Sequence, residues 1–482
     1  MSENKIDARW SSQVAMLPYW TKVDALIGGT DAMRAAHDAF LPKFEAESAA
    51  AYKVRWSTAP YTDIFGDIIT SLSSRPFSKP VDFIEGTASQ DLIDMQDNVD
   101  GAGTTQSKFA ASIFRRGITH AIEWVLVDAP KAMKAKTRPY WLNIPATKVI
   151  AVATDYVDGQ EVFTHFRFFE EVTMVDGLAE KTVKQIRVFN RERLTDADGN
   201  TVGYAKPTFE VFKKIKDEWT SQENGELGID EIPIVPFLTG ERVGASWEVI
   251  PPMRACADLQ IHHFRTDSGL EYKINMSCYV MIVGHGVTPE TGADGKPKPF
   301  PVGPMRVAYT PMNAEGKYGK YELLEPSGES NTFVQSRLES IEAQLRELGN
   351  QPLTAGSNNI TVIAAAFASK KANTAAQQWA INLQSTLENA WRLTSLWMGK
   401  PETPEIFVFT DFDVGTSVKE HLDALDKARK AGDISRATLV GEYKRRGVLG
   451  PSYDEEADAE EIINELPGGN EAAITDLPPD QN

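Results

Sequence analysis

The sequence has very little cysteine and no long apolar run. Cys256 and Cys278 are the only two cysteines among 482 residues, too few for a disulfide framework or a four-ligand zinc site. The apolar stretch VIAAAFA at 362–368 is far shorter than the roughly 20 residues of a membrane-spanning helix. The start, MSENKIDARWSSQ, has no basic segment followed by an apolar one, so no secretion signal is expected. We therefore expect a protein that acts in a reducing compartment, where it is made.

Basic residues are also in deficit. The chain has 50 Lys and Arg against 68 Asp and Glu, a net charge of −18. Residues 451–482 contain ten acids and no Lys or Arg, which leaves −8 for the first 450 residues (−18 minus −10). Tight affinity for nucleic acid comes from clustered Lys and Arg. The composition therefore disfavours a protein that grips nucleic acid, but not one that DNA merely passes.

Sequence motifs for catalysis are missing as well. GADGKP at 292–297 has Pro297 where a phosphate loop needs Ser or Thr, and GASWE at 244–248 lacks the second glycine of a nucleophile elbow. His263 and Asp267, at i and i+4 on a predicted helix, have the spacing of metal ligands, but without a third ligand nearby a helix-packing role is favoured. We predict no catalytic residue, no metal site and no cofactor. An enzyme of unrecognised chemistry is the least favoured alternative.

Two kinds of pattern follow one another in the first half of the chain. Helical apolar spacing predicts a mainly helical start, with helices at 10–27, 32–40, 64–73 and 109–126. From residue 150 to 237, β-branched and aromatic runs separated by turn sequences predict antiparallel strands. The first half therefore combines helices with a β-rich layer.

The second half is predicted to contain long helices around a small β unit. One helix is expected to begin at Trp247 and to run to about Lys273. Strand-like pieces and a Gly, Pro and Lys-rich excursion fill 276–325, and Lys296 and Lys298 make its tip locally basic. Further helices are predicted at 372–397 and after residue 417, around a strand at 405–412.

A second long helix is predicted at 331–348. Its apolar residues recur at steps of four, three, four and three, which defines a single seam. The seam consists of Val334, Leu338, Ile341, Leu345 and Leu348. Gly349 is placed to cap the helix, and Pro352 prevents its continuation.

The segment that follows, 350–361, is polar and has no charged residue. Its amide and hydroxyl groups suit weak, exchangeable hydrogen bonds to phosphate or water, and glycine gives it conformational freedom. Its candidate functional residues are Asn350, Gln351, Leu353, Thr354, Gly356, Ser357, Asn358 and Asn359. A plain connection between two helices is the alternative interpretation.

The order of these segments resembles that of the portal proteins of tailed bacteriophages, which form the ring at the unique vertex of the head. The resemblance spans roughly residues 40 to 450 and rests on the combination and order of several stretches. These stretches are FLPKFEAESAAAYKVRWSTAPYTDIFGDIITSLSSRPF, DGAGTTQSKFAASIFRRGITHAIEWVLVDAP, GASWEVIPPMRACADLQIHH, EPSGESNTFVQSRLESIEAQLRELGNQPL and DISRATLVGEYKRRGVL.

The resemblance implies an α+β portal fold with a helical and β wing, a two-helix stem, a small β clip, a tunnel loop and a C-terminal helical crown. By position, the parts would be a wing at 1–245, the first stem helix at 246–275, a clip at 276–326, the second stem helix at 327–349, a tunnel loop at 350–361, a helix and strand returning to the wing at 362–430, and a crown with the acidic tail at 431–482.

The resemblance also implies a function. The expected protein is non-enzymatic and forms a ring, usually a dodecamer, that conducts double-stranded DNA during packaging and ejection. Its other expected partners are the large terminase, a head-to-tail adaptor, and the major capsid and scaffolding proteins. It would lie at the portal vertex of the virion, and in the host cytoplasm during assembly, with no membrane. The tunnel-loop residues would face DNA, and Lys296 and Lys298 would bind a partner. A ring-forming head or tail adaptor without a portal role is the alternative.

Overall fold

Helices and antiparallel strands alternate in blocks along the chain in a computed structural model. The structure describes residues 5–130, 138–157, 159–198, 201–215, 217–278, 281–287, 291–292, 295–296, 316–324, 329–349, 362–410, 412, 418–445 and 458. Helix accounts for 44% and strand for 26%, which confirms the α+β class. Two units are distinguished, Met1–Phe412 and Asp413–Asn482.

The helices vary from one turn to ten. Within the described residues the α-helices are α1 (Ser11–Ile27), α2 (Gly29–Ala35), α3 (Ala49–Thr58), α4 (Ile64–Ser74), α5 (Gln90–Ile93), α6 (Gln106–His120), α7 (Arg254–Cys278), α8 (Glu329–Leu348), α9 (Val362–Trp397), α10 (Val418–Ala431) and α11 (Arg436–Arg445). Short 3₁₀ helices lie at His37–Ala39, Arg75–Ser78 and Ala146–Lys148.

The strands lie mainly between α6 and α7. They are β1 (Asp82–Phe83), β2 (Ile122–Asp128), β3 (Tyr140–Ile144), β4 (Val149–Val157), β5 (Gln160–Asp176), β6 (Ala179–Asn190), β7 (Arg193–Thr195), β8 (Thr201–Tyr204), β9 (Thr208–Ile215), β10 (Glu218–Glu226), β11 (Ile234–Leu238), β12 (Glu241–Arg242), β13 (Val249–Ile250), β14 (Met281–His285), β15 (Lys320–Leu324) and β16 (Ile406–Phe407).

Two antiparallel sheets organise the β-rich layer. The larger has the order β10-β9-β6-β5-β4, and the smaller has the order β11-β2-β3. Short two-stranded sheets are formed by β1 with β16, β7 with β8, β12 with β13, and β14 with β15. Sequence neighbours β4 and β5, β5 and β6, and β9 and β10 pair across connections of only two residues, as the alternation of apolar runs and turn sequences predicts.

The main core lies where the three-stranded sheet meets α1, α4, α6 and α9. Trp20, Trp124, Trp141 and Trp391 are fully buried there. The rings of Trp141 and Trp391 meet edge to face with centroids 4.8 Å apart, and the Trp141 Nε1–H donates to Thr394 Oγ1 at 2.9 Å. Buried indoles that also find a hydrogen-bond partner combine a large apolar area with a defined orientation.

A segment at the N-terminal end of the described chain, residues 5–10, crosses the larger sheet, and we call it the strap. Ile6 packs on a second apolar cluster that includes Ile150 and Ile186. The Trp219 Nε1–H donates to Asp7 Oδ2 at 3.1 Å, and the Trp10 N–H donates to the Ile150 carbonyl at 3.0 Å. The Arg9 guanidinium donates to the carbonyls of Val149 and Thr147, at 2.5 Å each. The strap therefore covers the face of the sheet that lies away from the main core.

The structure differs from the sequence-based expectation after α6. The spacing predicts a helix to residue 126, but α6 ends at His120, and residues 122–128 form β2. Ala121 has a left-handed backbone with φ 72°, and its carbonyl accepts from the Thr239 and Gly240 N–H groups at 3.0 and 3.1 Å. These distant donors end the helix, so local spacing does not reveal its boundary.

Three boundaries in the second half differ as well. Helix α7 begins at Arg254 rather than at 247, because Val249 and Ile250 pair with β12. Pro251 and Pro252 disfavour helical backbone in the residues before them. Helix α9 begins at Val362 instead of 372. Among the described residues of the predicted strand 405–412, only Ile406 and Phe407 pair with another strand.

The second unit contains α10 and α11. Gly432, with φ 85°, follows α10, and the Ser435 hydroxyl accepts from the Thr438 N–H at 3.0 Å. Gly432 and Ser435 therefore end one helix and cap the next, as the sequence predicts. The Tyr443 hydroxyl donates to Asp426 at 2.8 Å and ties the two helices together.

Candidate functional site: the paired helices and their hairpin

The candidate site consists of α7, α8 and the β14–β15 hairpin between them. Helix α7 has 25 residues and α8 has 20, so they are rods of roughly 37 and 30 Å. His263 lies 15 residues before the end of α7 and contacts Glu342, 13 residues after the start of α8. The two helices therefore run antiparallel, with the hairpin at one end of the pair and residue 349 at the other.

The α8 seam predicted from the sequence is buried in part. Leu338, Ile341 and Leu345 are buried, whereas Val334 is partly exposed and the side chain of Leu348 is 48% exposed. A straight α-helix drifts by about 20° per heptad relative to a strict 3.5-residue repeat. Over the two heptads from Val334 to Leu348, this drift turns the ends of the seam away from α7.

Gly349 ends α8 where the chain approaches α4 closely. A Cβ atom on Gly349 would lie 2.6 to 2.7 Å from three side-chain carbons of Ile68. The Gly349 N–H donates to the Leu345 carbonyl at 2.8 Å. The bond to Leu345 continues the helical pattern, and the contact with Ile68 adds a packing requirement that the sequence does not show.

A buried glutamine joins α7 to the start of α4. Gln260 is fully buried. Its Oε1 accepts from the Phe65 N–H at 3.0 Å, and its Nε2–H donates to the Thr62 carbonyl at 2.9 Å. The first N–H groups of a helix have no partner within it, so Gln260 satisfies one of them and fixes α7 against α4. The sequence signal for this role is a glutamine on the apolar face, beside Ala257 and Ile261.

His263 lies between the two helices, and Asp267 lies one turn further along α7. His263 is buried, and its Nε2 lies 3.2 Å from Glu342 Oε1. Burial raises the pKa of the half-buried Asp267, and Glu271 and Glu342 raise it further, while His263 opposes them. Within the described residues, no group of three or more His, Cys, Asp or Glu side chains is arranged to hold a metal ion.

The β14–β15 hairpin projects from the far end of the helix pair. Met281 pairs with Leu324, and His285 pairs with Lys320. His285 and Lys320 both contact the Glu322 carboxylate, at 3.2 and 3.6 Å. Of the two lysines predicted at its tip, Lys296 lies in the short described stretch 295–296. Lys298 and the eight candidate residues between Asn350 and Asn359 lie outside the described residues.

Helix α9 leads from the uncharged segment 350–361 into the main core. Three tryptophans along it donate indole hydrogen bonds to other elements. The acceptors are the Thr239 carbonyl for Trp379 at 3.0 Å, Gln106 Oε1 for Trp391 at 2.9 Å, and the Val127 carbonyl for Trp397 at 2.9 Å. The later part of α9 is therefore fixed to the three-stranded sheet and α6.

A buried carboxyl group lies away from the helix pair, on β2. Glu123 is fully buried and accepts from Asn143 Nδ2 at 2.8 Å and from the Ala146 N–H at 3.2 Å. Burial raises its pKa to about 7, against the opposing effects of His120, Asn143 and Ala146. The group therefore titrates near neutrality, although no sequence motif marks it.

Comparison with known proteins gives a family model and several structures. Residues 252–398, which extend from α7 to α9, match a model described as a domain of unknown function, DUF4055. No curated protein matches the chain. None of the helices within the described residues combines the length and apolar character that crossing a bilayer requires.

Three solved structures of gene transfer agent (GTA) particles are similar to the chain. The neck of an empty particle, computed with C6 symmetry, has 11% identity and a TM-score of 0.42, and the match covers 88% of this chain and 95% of that one. The neck of a native particle, computed with C12 symmetry, has 12% identity and a TM-score of 0.39 over 80% and 88% of the two chains. The virion of a native particle has 11% identity and a TM-score of 0.39 over 80% and 89%.

Proposed function

We propose that this chain is a portal protein, a ring subunit that conducts double-stranded DNA into and out of a bacteriophage head. The observation that carries the proposal is the antiparallel α7–α8 pair with a hairpin at one end and an uncharged segment at the other. This arrangement would supply a stiff wall, a projection for docking, and a polar, uncharged stretch of sequence next to the opposite end. The proposed role is non-enzymatic and requires no cofactor.

The helix pair is built to stay rigid. Leu338, Ile341 and Leu345 are buried along α8, and Gln260 ties α7 to α4 through two buried hydrogen bonds. Arg346 of α8 lies 3.9 Å from Asp67 of α4. Because the pair is fixed to α4 at the end nearer residue 349, that end can line a channel without shifting as DNA moves past.

The charge distribution suits DNA that slides. Each Lys or Arg that contacts a phosphate adds salt-dependent affinity, which would slow a moving duplex. Segment 350–361 has no charged residue, and the chain as a whole is acidic. Amide and hydroxyl groups there can exchange hydrogen bonds with phosphate without holding it. The β14–β15 hairpin is the proposed docking site for the large terminase and the head-to-tail adaptor, and the capsid and scaffolding proteins would surround the ring.

Native mass spectrometry of the purified chain tests ring formation. A dodecamer would have a mass of about 640 kDa (12 × 53.3 kDa), the subunit number that the portal resemblance implies. We expect a closed ring of this order. A chain that stays monomeric under every assembly condition would overturn the proposal.

An in vitro packaging assay tests the DNA-facing role of the uncharged segment. We expect deletion of residues 353–358 to leave ring assembly intact and to reduce DNA packaging or retention. A variant that replaces these residues with an equally long Gly/Ser sequence is the matched control, because it keeps the length and lack of charge. Normal packaging by the deletion variant would refute the DNA-facing role of the segment.

A further inference from the structure

The β5–β6 hairpin extends well beyond the rest of its sheet. Strand β4 pairs with β5 only as far as Phe168, and β9 pairs with β6 only from Gln185 onward. Within the part of the chain that the structure describes, residues 171–184 therefore pair only with each other, over six cross-strand pairs from Glu171–Lys184 to Asp176–Ala179. We call this stretch the arm, and at about 3.4 Å per residue it projects by roughly 20 Å.

The arm ends in an apolar tip. Gly177 has a φ of 66° and forms, with Leu178, the two-residue turn that such a hairpin favours. The Leu178 side chain is fully exposed, Val175 is 84% exposed and Met174 is 50% exposed. An isolated two-stranded ribbon is marginally stable in water, and clustered exposed apolar groups mark interaction surfaces. The arm therefore has the properties of an element that another surface covers.

A cleft of about 400 Å³ lies at the other end of the same two strands. Thr164 and His165 of β5 line it, together with Arg191, Arg193 and Tyr204. Arg193 is paired with Asp155. The Arg191 guanidinium lies 5.6 Å from the centroid of the Tyr204 ring and donates to the Ala205 carbonyl at 3.1 Å. Within the described residues Arg191 has no carboxylate partner, so the cleft presents an uncompensated positive charge beside an aromatic ring.

The arm and the cleft are complementary in charge. The arm, residues 171–184, contains three acidic and two basic residues, and Glu180 is exposed two residues beyond Leu178. A carboxylate opposite Arg191 and a leucine against the Tyr204 ring would satisfy both surfaces. The eleven residue-to-residue steps along β5 from His165 to Asp176 separate the two sites by roughly 37 Å. Because the arm continues these strands in the direction away from the cleft, its tip does not reach its own cleft, and its partner is a second copy.

We propose that the arm of one copy enters the cleft of the next, with Leu178 and Glu180 at the contact. Because the two surfaces differ, the contact is heterologous, and successive copies associate head to tail until a ring closes. The inference rests on the ring of the proposed function and names a surface that forms it.

Disulfide trapping of the full chain tests this contact. The background variant is Cys278→Ser; the remaining Cys256 is buried, and burial raises the pKa of its thiol to about 12, which leaves it unreactive. With Leu178→Cys and Thr164→Cys in one chain, we expect oxidation to give a ladder of cross-linked oligomers. Each single variant should stay monomeric on a non-reducing gel, and a mixture of the two should give only dimers.

The outcomes separate the contact from the ring itself. Rings in native mass spectra without cross-links in the double variant would overturn the arm contact and leave the portal proposal standing. A dimer from Leu178→Cys alone would overturn the inference in favour of a two-fold contact between arms. A chain that is always monomeric would overturn both proposals.

A charge exchange gives a second, independent test. We expect Arg191→Glu to raise the protein concentration needed for half-maximal assembly about tenfold or more, because it places two carboxylates opposite each other. Adding Glu180→Arg should restore assembly to near the original concentration. If the second change worsens assembly instead, Glu180 does not face Arg191, and the inference is wrong.

Discussion

Two leucines in the last turns of α8 allow a sharp test of how the helix pair is built. Leu345 is fully buried, whereas Leu348, three residues later, is 48% exposed. Both belong to the seam that the sequence spacing predicts. Each can be changed to alanine, which keeps the helix propensity favourable. The pair therefore compares the same substitution in the same helix at two degrees of burial.

The structure predicts very different costs for the two changes. Replacing a fully buried leucine by alanine lowers the free energy of unfolding by about 2–5 kcal/mol, because a cavity is left in the packed interior. Leu348 gives up only about half of its exposed surface on folding, and its neighbours can close the gap, so Leu348→Ala should cost about 1 kcal/mol or less. A difference of at least about 1 kcal/mol is expected between the variants.

Hydrogen exchange followed by mass spectrometry measures this difference within α8. At about 1.4 kcal/mol per tenfold change, Leu345→Ala should speed exchange of amides in residues 329–349 by roughly 30-fold or more. Leu348→Ala should speed it less than about fivefold at concentrations where the chain is monomeric. Equal acceleration by both variants would show that one seam runs through residue 348, and would refute the burial pattern on which the reasoning rests.

Three further predictions concern other buried contacts. Burial raises the pKa of Glu123 from 4.5 to about 7, so the unfolded chain loses this proton at a lower pH than the folded chain, and the free energy of unfolding should fall by about 3 kcal/mol between pH 4.5 and 7 and level off above 7. In urea unfolding measured at several pH values, Glu123→Gln should remove this part of the pH dependence. An unchanged pH dependence would contradict the assignment. Gln260→Ala leaves two buried backbone groups unpaired and should lower the free energy of unfolding by about 1–3 kcal/mol, whereas the exposed Gln344→Ala should change it by less than about 0.5 kcal/mol. Gly349→Ala should destabilise α8 because the added methyl group meets Ile68. In a double-mutant cycle with Ile68→Ala, the double variant should lose less stability than the sum of the losses in the two single variants. Strict additivity would show that the two residues do not touch.

Elements with a strong local signal could be predicted from the sequence. Helix α4 was expected at 64–73 and spans Ile64–Ser74, and α8 was expected at 331–348 and spans Glu329–Leu348. In both, apolar spacing coincides with a local end signal, Asp63 before α4 and Gly349 after α8. The side chain of Asp63 accepts from the Gly66 N–H at 2.7 Å. Where the spacing of the apolar residues and a local end signal agree, the bounds of a helix can be predicted without knowledge of its tertiary contacts.

Elements that end through distant contacts could not be predicted. The run after residue 109 keeps helical spacing past Ala121, and only the donors at Thr239 and Gly240, more than 100 residues later, end the helix there. The contacts of the candidate site likewise could not be predicted from local sequence. The spacing of α8 indicates an apolar face, but the pairing of His263 with Glu342 across 79 residues and the contact of Gly349 with Ile68 exist only after the helices meet.

The strap has a consequence for the order in which this chain can fold during synthesis. Residues 5–10 leave the ribosome well before their docking partners, which extend from Thr147 to Trp219. At about 5–20 residues per second, the strap waits roughly ten seconds or more before the last of these partners emerges. The strap therefore stays without its partners while the larger sheet is being synthesised, and it can dock as soon as those strands pair. A bulky protein fused directly before residue 5 would interfere with this docking even if it left every later contact untouched.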